Sequence, residues 1–351
     1  MASQRKLTRS VSAAFLLLSA LSLLSARSVA QYKRTDLVSN QAGVAKHTDA
    51  NLVNGWGLTR LAGSPFWVSD NVTGVSTLYN GAGVARALVV TIPPAPRNAG
   101  ALGTPTGIVA NATGQFAVSA GGKSGSAVFI FATLDGTISG WNPGVEPTTA
   151  VIAVDRSGLG ATYIGLASGS TASGNFLYAA DNGPNNRVDV FDSNFNFVKS
   201  FTDSSIPDGF AAYGIQNIDG KLWVTFGGNK AASGFVDIFD TDGNLIKHFA
   251  ANGPLHSPWG MALAPSDFGI FSNAMLIANN IPRGRINAFD PETGAFLGTL
   301  RDSSGQAIVI DQVWGLKFGG DTTNNGLHNQ LFFSAGPNNY ANGLFGMITA
   351  E

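Results

Sequence analysis

The chain has 351 residues, of which 44% are hydrophobic and only 12% are charged, and its formal net charge is −1. It contains 44 glycines and no cysteine, so burial must stabilise the fold without disulfides. No basic cluster follows the N-terminal segment, which excludes nucleic acid and anionic membrane surfaces as expected partners. This composition is typical of an all-β protein with many short strands and turns.

The N-terminus has the pattern of a secretory signal peptide. A basic start (residues 5–9) precedes an apolar stretch (11–26), and the small residues Ser28 and Ala30 suit the −3 and −1 positions of a cleavage site. The alternative, a transmembrane anchor, is disfavoured because the apolar stretch is short for a full span. We therefore expect a secreted or periplasmic protein, cleaved after Ala30 and without a stable membrane span thereafter.

A glycine followed by an aliphatic residue recurs in a similar sequence setting at six places along the chain, at intervals of 46 to 58 residues. The six glycines are Gly57, Gly107, Gly165, Gly214, Gly260 and Gly315. Repeats of this length with four strands each indicate a β-propeller. We predict a six-bladed β-propeller with blades starting near 56, 106, 164, 213, 259 and 314, and with each glycine on an innermost strand, where a side chain would lack space.

Alternating, β-branched and aromatic segments after each glycine predict the remaining strands of each blade. In the second blade this pattern predicts a second strand at 116–122, a third at 127–133 and a fourth at 137–142. Residues 143–162 are then left over as a loop or an extra strand.

The sixth repeat ends without a fourth strand. Residues 32–39, which precede the first repeat, resemble the fourth strand of a blade. We therefore expect the N-terminal strand to pair with the last blade and close the ring, which removes an exposed sheet edge. Residues 31–351 then form a single domain, expected to be a monomer.

In a propeller, the loops before the first strands and after the second strands share one face, here called the channel mouth. The candidate ligand-binding residues at the channel mouth are Asn54, Trp56, Asp70, Asn71, Asp181, Asn182, His256, Trp259, Asn279, Asn280 and Trp314. Their amide and carboxylate oxygens suit a hard cation such as Ca²⁺ or a polar small molecule. Asp70 and Asp181 are the metal-ligand candidates because a carboxylate supplies charge. The competing interpretation is that Asn, Asp and Gly simply form tight loops, and that the tryptophans pack between blades.

No catalytic residue can be assigned. The chain has no cysteine and no G-x-S-x-G motif, and no Ser/His/Asp arrangement is supported by spacing. Residues 121–125 resemble a phosphate loop, but they lead into a strand and lack the required spacing.

Several segments resemble a known family. They are 47–58, 129–144, 255–269, 286–300, 313–319 and 331–348. Together they resemble a family of exported bacterial β-propeller proteins, related in architecture to NHL-repeat and gluconolactonase-like propellers. The resemblance implies the six-bladed fold and brings no activity with it.

Three functions follow as expectations. The first is a binding or scaffold propeller that takes a small molecule, glycan or protein at the channel mouth. The alternative, implied by the resemblance in fold alone, is a calcium-dependent lactonase or esterase-like hydrolase of the gluconolactonase type, with Ca²⁺ as Lewis acid. The third is a matrix or cell-surface interaction protein. A channel mouth plugged by Trp and Tyr would favour an interaction role.

Overall fold

The computed structural model describes residues 31–228 and 233–351, and within them the chain is almost entirely β-structure. The predicted signal peptide, residues 1–30, lies outside the described residues. Three short 3-10 helices, Pro96–Asn98, Ser157–Leu159 and Gly269–Phe271, are the helices of the described part. None of them is long and apolar enough to cross a membrane.

All but two of the described strands fall into six radial sheets, the predicted blades. Two strands precede the first blade: β1 (Tyr32–Ser39) and β2 (His47–Thr48). Blade 1 contains β3 (Gly55–Thr59), β4 (Phe66–Asp70), β5 (Val75–Tyr79) and β6 (Val90–Thr91). The blade 2 region contains β7 (Pro105–Ala110), β8 (Ala117–Ala120), β9 (Lys123–Ser126), β10 (Phe129–Thr133), β11 (Thr137–Trp141) and β12 (Val151–Asp155). Blade 3 contains β13 (Tyr163–Thr171), β14 (Gly174–Asp181), β15 (Arg187–Phe191) and β16 (Phe197–Phe201).

The second half continues the same order. Blade 4 contains β17 (Phe210–Ile218), β18 (Lys221–Gly228), β19 (Phe235–Phe239) and β20 (Leu245–Ala251). Blade 5 contains β21 (Pro258–Leu263), β22 (Met275–Asn279), β23 (Ile286–Phe289) and β24 (Phe296–Thr299). Blade 6 takes β25 (Val313–Phe318), β26 (Leu331–Ala335) and β27 (Leu344–Ala350) from the C-terminal end.

The N-terminal strand completes blade 6, which confirms the predicted ring closure. Strand β1 pairs antiparallel with β27 from Tyr32 opposite Ala350 to Ser39 opposite Leu344. Strand β2 then adds to β1 in parallel. The Tyr32 hydroxyl also donates a hydrogen bond to the Phe268 carbonyl of blade 5 at 2.9 Å. Both ends of the described propeller are thus fixed by the same sheet.

Blade 2 differs from the predicted strand order. Its four strands are β7, β10, β11 and β12, while β8 and β9 form a separate two-stranded hairpin. The middle strands β10 and β11 are buried along their whole length, whereas β8 has exposed residues at alternate positions. A middle strand must be covered on both faces by the neighbouring blades, so β8 cannot fill that place. The segment 143–162 therefore supplies the true fourth strand.

The hydrophobic core lies between the blades. Among the described residues, six apolar clusters each join two adjacent blades around the ring, and a seventh lies on the axis. The cluster between blades 1 and 2 stacks Trp67 on Phe129, with ring centroids 4.0 Å apart. Each such fully buried aromatic side chain contributes about 1.5–3 kcal/mol of transfer free energy. The interfaces between blades therefore hold the ring together.

The six repeated glycines lie on the inner strands, as predicted. A Cβ atom on any of them would come closer than 3.0 Å to an atom of the next blade's inner strand. At Gly260, for example, the obstacle is the Trp314 carbonyl, and at Gly57 it is the Thr106 carbonyl. Such separations exclude any side chain, so the glycine repeat records how closely the inner strands pack.

Candidate functional site

An aromatic cluster closes the channel at its mouth. Trp56 and Trp314 stack with ring centroids 3.7 Å apart and planes 17° apart. Trp259 meets both rings edge-on, at 6.5 and 5.6 Å. Tyr213 and Tyr340 pack against Trp314 at 5.9 and 5.6 Å. These residues come from blades 1, 4, 5 and 6, so their meeting point lies on the axis of the ring. We call this cluster the aromatic plug.

Hydrogen bonds fix the orientation of the aromatic plug. Trp314 Nε1 donates to Asn54 Oδ1 at 2.9 Å, and Trp259 Nε1 donates to the Ile164 carbonyl at 3.0 Å. The hydroxyls of Tyr213 and Tyr340 both donate to Asn280 Oδ1, at 3.2 and 2.9 Å. Burial raises the pKa of both tyrosines, so they remain neutral donors at physiological pH. The predicted site residues Asn54 and Asn280 therefore hold aromatic rings in place.

Three of the predicted asparagines connect neighbouring blades. Asn71 Nδ2 donates to the Pro105 carbonyl at 3.1 Å, across blades 1 and 2. Asn182 makes the same bond to Ala212 at 3.1 Å, across blades 3 and 4. Asn280 makes it to Val313 at 3.3 Å, across blades 5 and 6. In each case the acceptor lies on the inner strand of the next blade, so these amides link the ring at alternate junctions.

The two predicted metal-ligand carboxylates lie in separate blades and bond to their own surroundings. Asp181 Oδ1 accepts hydrogen bonds from the Thr162 and Gly183 amides, at 2.8 and 2.9 Å. Asp70 Oδ2 accepts one from the Thr77 amide at 3.0 Å. Burial raises the pKa of Asp70 well above its usual range. Neither carboxylate belongs to a converging set of three His, Cys, Asp or Glu ligand atoms in the part of the chain that the structure describes.

His256 and Asn279 shape the loop that enters blade 5. Asn279 Oδ1 accepts a hydrogen bond from the His256 amide at 3.1 Å, and its Nδ2 donates to the Pro254 carbonyl at 2.8 Å. The His256 imidazole approaches the Gly253 carbonyl at 3.2 Å through Nε2. The Asn279 side chain thus ties the end of β22 to this loop, and the His256 side chain bonds within the loop.

A cavity of about 290 Å³ lies in the channel beneath the aromatic plug. It is lined by Gly57 to Arg60, Gly107 to Ala110, Leu166 to Ser168, Ile215 to Asn217, Trp259 to Gly260 and Gly315 to Lys317. These segments belong to the inner strand of each blade, which is an edge strand of its sheet. The unpaired backbone N–H and C=O groups of those edges therefore face the cavity. The lining residues next to the aromatic plug are buried. Those at the opposite end of the cavity, among them Arg60 and Lys317, are half-buried.

The charged side chains of the cavity are both cations, and the sequence-based prediction missed them. They are Arg60 and Lys317, and no carboxylate lines the cavity. Arg60 Nε donates to the Phe318 carbonyl at 2.9 Å, and its Nη2 donates to that of Gly319. None of the ion pairs among the described residues involves Lys317. Burial, with help from the nearby Arg60, lowers the pKa of Lys317.

A signal for Lys317 was present in the repeat. The residue two positions after each repeated glycine is Thr59, Val109, Ala167, Gln216, Ala262 and Lys317 in turn. A charge at this position occurs in the sixth repeat alone. Because the five equivalent residues are uncharged, the propeller fold itself does not require a charge at this position, which indicates a role for Lys317 beyond the fold.

Comparison with known proteins gives close sequence relatives and distant structural neighbours. No family model matches the chain. It is 30% identical over 341 residues to the protein named Uncharacterized protein R648 of Acanthamoeba polyphaga mimivirus, covering 93% of this chain and 82% of R648. It is 29% identical over 341 residues to L690 of the same virus, covering 93% and 87%. The structure of streptogramin B lyase superposes with a TM-score of 0.52 at 12% identity, covering 92% of this chain and 98% of the lyase chain. That likeness shows the propeller fold.

Proposed function

We propose that this chain, which belongs to the same protein family as R648 of Acanthamoeba polyphaga mimivirus, binds a small anionic ligand in its central cavity. We further propose that it does so after export, as in the bacterial propellers that its sequence resembles. Sequencing of the mature N-terminus tests export, with Gln31 expected as the first residue. The observation that supports an anionic ligand is the Lys317 ammonium, which lies in a cavity that contains no carboxylate.

The electrostatic argument concerns the cost of keeping Lys317 charged. Removal from water disfavours the ammonium form, and the neighbouring Arg60 guanidinium disfavours it further. A bound anion would reverse both effects because an opposite charge stabilises the ammonium. Arg60 already donates to backbone carbonyls, so Lys317 is the group with donors to offer. Binding should therefore raise the pKa of Lys317.

The size of the cavity limits the ligand. About 290 Å³ is at the lower end for small-molecule sites. The aromatic plug forms one end, with Trp259 among the lining residues, and the inner strands form the walls. A small organic acid, with one carboxylate near Lys317 and its carbon chain toward Trp259, fits these surroundings.

Thermal unfolding and calorimetry with malonate, succinate and inorganic phosphate test this proposal. At least one of these anions should raise the unfolding temperature of the protein, and succinamide, of similar size but uncharged, should not. In calorimetry, the same anion should give a saturable heat of binding, and succinamide should give none. Substitution Lys317→Met, which keeps the length of the side chain, should abolish the stabilisation.

The matched control is Lys123→Met, which removes an exposed lysine from β9. This variant should respond to the anions as the wild type does. If Lys317→Met retains the response, or if both variants lose it equally, the ligand does not bind at Lys317 and the proposal fails.

The functions expected at the channel mouth stay predictions. An interaction role at that face is favoured by the aromatic plug, which fills the mouth of the channel with Trp and Tyr rings. The calcium-dependent hydrolase rests on fold resemblance, and the groups named for it, Asp70 and Asp181, bond within their own blades. We therefore prefer ligand binding in the cavity.

A further inference from the structure

Three ionisable side chains converge at the outer part of the junction between blades 3 and 4. Asp203 follows β16 of blade 3, while Asp237 and His248 lie on β19 and β20 of blade 4. His248 Nδ1 lies 3.1 Å from Asp237 Oδ1 and 3.3 Å from Asp203 Oδ2. The three potential ligand atoms lie within 4.8 Å of one another. We call this set the rim triad; it is separate from the central cavity.

The rim triad contains a buried carboxylate that its neighbours do not satisfy. The side chain of Asp237 is only 3% exposed, and no donor among the described residues reaches its Oδ2 atom. His248 Nδ1 carries at most one proton, so it cannot donate fully to both carboxylates. Within the described part of the chain, one oxygen of this buried carboxylate is therefore left without a donor.

The preceding junction shows what occupies the equivalent place. Asp189 is the third residue of β15, as Asp237 is of β19. Arg187 Nε donates to Asp189 Oδ1 at 2.7 Å, and Arg156 Nε approaches Oδ2 at 3.1 Å. At the rim triad, Phe235 stands in the place of Arg187, and Asp203 in that of Arg156. Two guanidinium groups thus balance Asp189, whereas among the described residues no arginine or lysine pairs with Asp237.

We propose that the rim triad binds a divalent transition-metal ion, best matched by Zn²⁺, and that the ion bridges blades 3 and 4. Two ligands at zinc distances of about 2.0–2.1 Å in tetrahedral geometry lie about 3.3 Å apart, close to the separations of His248 from the two carboxylates. An imidazole with two carboxylates suits Zn²⁺ better than Ca²⁺ or Mg²⁺, which prefer oxygen ligands alone.

The surroundings of the rim triad suit a metal site. The Ser205 amide and hydroxyl donate to the Asp203 carboxylate at 2.9 and 2.8 Å, and such outer contacts orient metal ligands. The His248 side chain is 60% exposed, so an ion can enter from solvent. The fourth coordination position is then open to water. Since one ligand comes from blade 3 and two come from blade 4, binding would strengthen this junction.

Zinc titration of the full-length purified protein, first stripped with a chelator, tests the proposal. We expect one Zn²⁺ per chain at this site by calorimetry and elemental analysis, and a higher unfolding temperature with zinc. Asp237→Asn and His248→Ala each remove a ligand, so each should weaken binding at least about 100-fold, since loss of an outer-shell contact alone costs 10–100-fold. Asp237→Asn keeps the side-chain volume, and His248 is exposed, so both variants should fold.

The control is His328→Ala, because His328 also lies between two carboxylates, Asp267 and Asp321, all of them exposed. Its zinc stoichiometry and affinity should equal those of the wild type. The proposal is overturned by the absence of saturable zinc binding, by binding that depends on His328 but not on His248, or by stabilisation with Ca²⁺ or Mg²⁺ in place of Zn²⁺.

Discussion

The junction between blades 2 and 3 and the junction between blades 3 and 4 bury an aspartate at the same position of the third strand. At the first junction, Asp189 receives hydrogen bonds from Arg187 and from the Tyr163 hydroxyl, at 2.7 and 2.8 Å, and pairs with Arg156. At the second, Asp237 faces Asp203 and an exposed histidine. The two aspartates share their strand position and differ in their neighbours, and the pairing of β19 with β20 is also irregular between Val236 and Asp237, where that of β15 with β16 is regular at the equivalent place.

The repeat thus places an aspartate at the same strand position in two blades, but the groups that neutralise the aspartate differ between them. Asp189 is fully buried, and Arg156 also stacks on the Phe197 ring at 4.1 Å, so the cation is itself held in place. Asp237 has no such partner within the described residues. A buried charge without a counter-charge is costly, so the two aspartates should respond in opposite ways to the same substitution.

The largest expected effect is that of Asp189→Asn. Asparagine keeps the volume but leaves two arginines without their carboxylate, and breaking a buried ion pair from one side costs about 3–5 kcal/mol. We expect the free energy of unfolding in denaturant at pH 7 to fall by about this amount. If the loss were below about 1 kcal/mol, the arginines would be stabilised by solvent, and the contrast between the two junctions would disappear.

The second expected effect has the opposite sign. In metal-free protein, Asp237→Asn should raise the free energy of unfolding at pH 7 by about 3 kcal/mol, because the folded pKa of about 6 lies above the unfolded value of 3.8. A carboxyl group with a raised folded pKa binds more protons when folded, so the wild type loses this stability as the pH rises from about 4 to 6. Unfolding of both proteins in chelator between pH 4 and 7 measures the difference, which should vanish near pH 4. A constant difference across that range would mean that charge is not the cause.

The sequence predicts the six-bladed ring well because close contact between neighbouring inner strands requires a glycine at the same position of each blade. Gly57 and Gly260 leave no room for a Cβ, so any sequence with this ring must show the repeat. The hairpin β8–β9 misled the strand assignment because alternation alone does not distinguish a half-exposed hairpin from a blade strand. Burial decides between them, and burial depends on neighbouring blades.

The candidate sites were harder to predict because they depend on contacts between residues far apart in sequence. The three predicted tryptophans do converge in the aromatic plug, and four of the predicted asparagines hold the plug or link blades. The other four predicted residues instead bond within their own surroundings, namely Asp70, Asp181, His256 and Asn279. The aligned repeats contain a signal for Lys317 and a signal for Asp237. Lys317 is a charged residue on an inner strand, and Asp237 has phenylalanine two residues before it where Asp189 has arginine. Recognising those signals requires the blade register first, since only the register shows which residues occupy equivalent places.

A third junction, between blades 4 and 5, offers the smallest and most discriminating effect. Asn287 occupies the aspartate position there; its Nδ2 donates to the Pro254 carbonyl at 2.8 Å, and its Oδ1 accepts from the Thr299 hydroxyl at 2.7 Å. Arg285 precedes it by two residues, as Arg187 precedes Asp189. We expect Asn287→Asp to lower the free energy of unfolding because the new carboxylate cannot donate to the Pro254 carbonyl. The loss should be only about 1 kcal/mol, because Arg285 can turn toward the new carboxylate.

The double variant Arg285→Met with Asn287→Asp separates the two contributions. Without the arginine, the new carboxylate resembles Asp237 in metal-free protein, so the loss at pH 7 should grow to about 3 kcal/mol. Arg285→Met alone should change stability by less than about 0.5 kcal/mol because Arg285 is exposed. If the double variant were no less stable than Asn287→Asp, the arginine two residues before the aspartate would not neutralise it. The balance at Asp189 would then depend on Arg156, the residue whose place Asp203 takes at the rim triad.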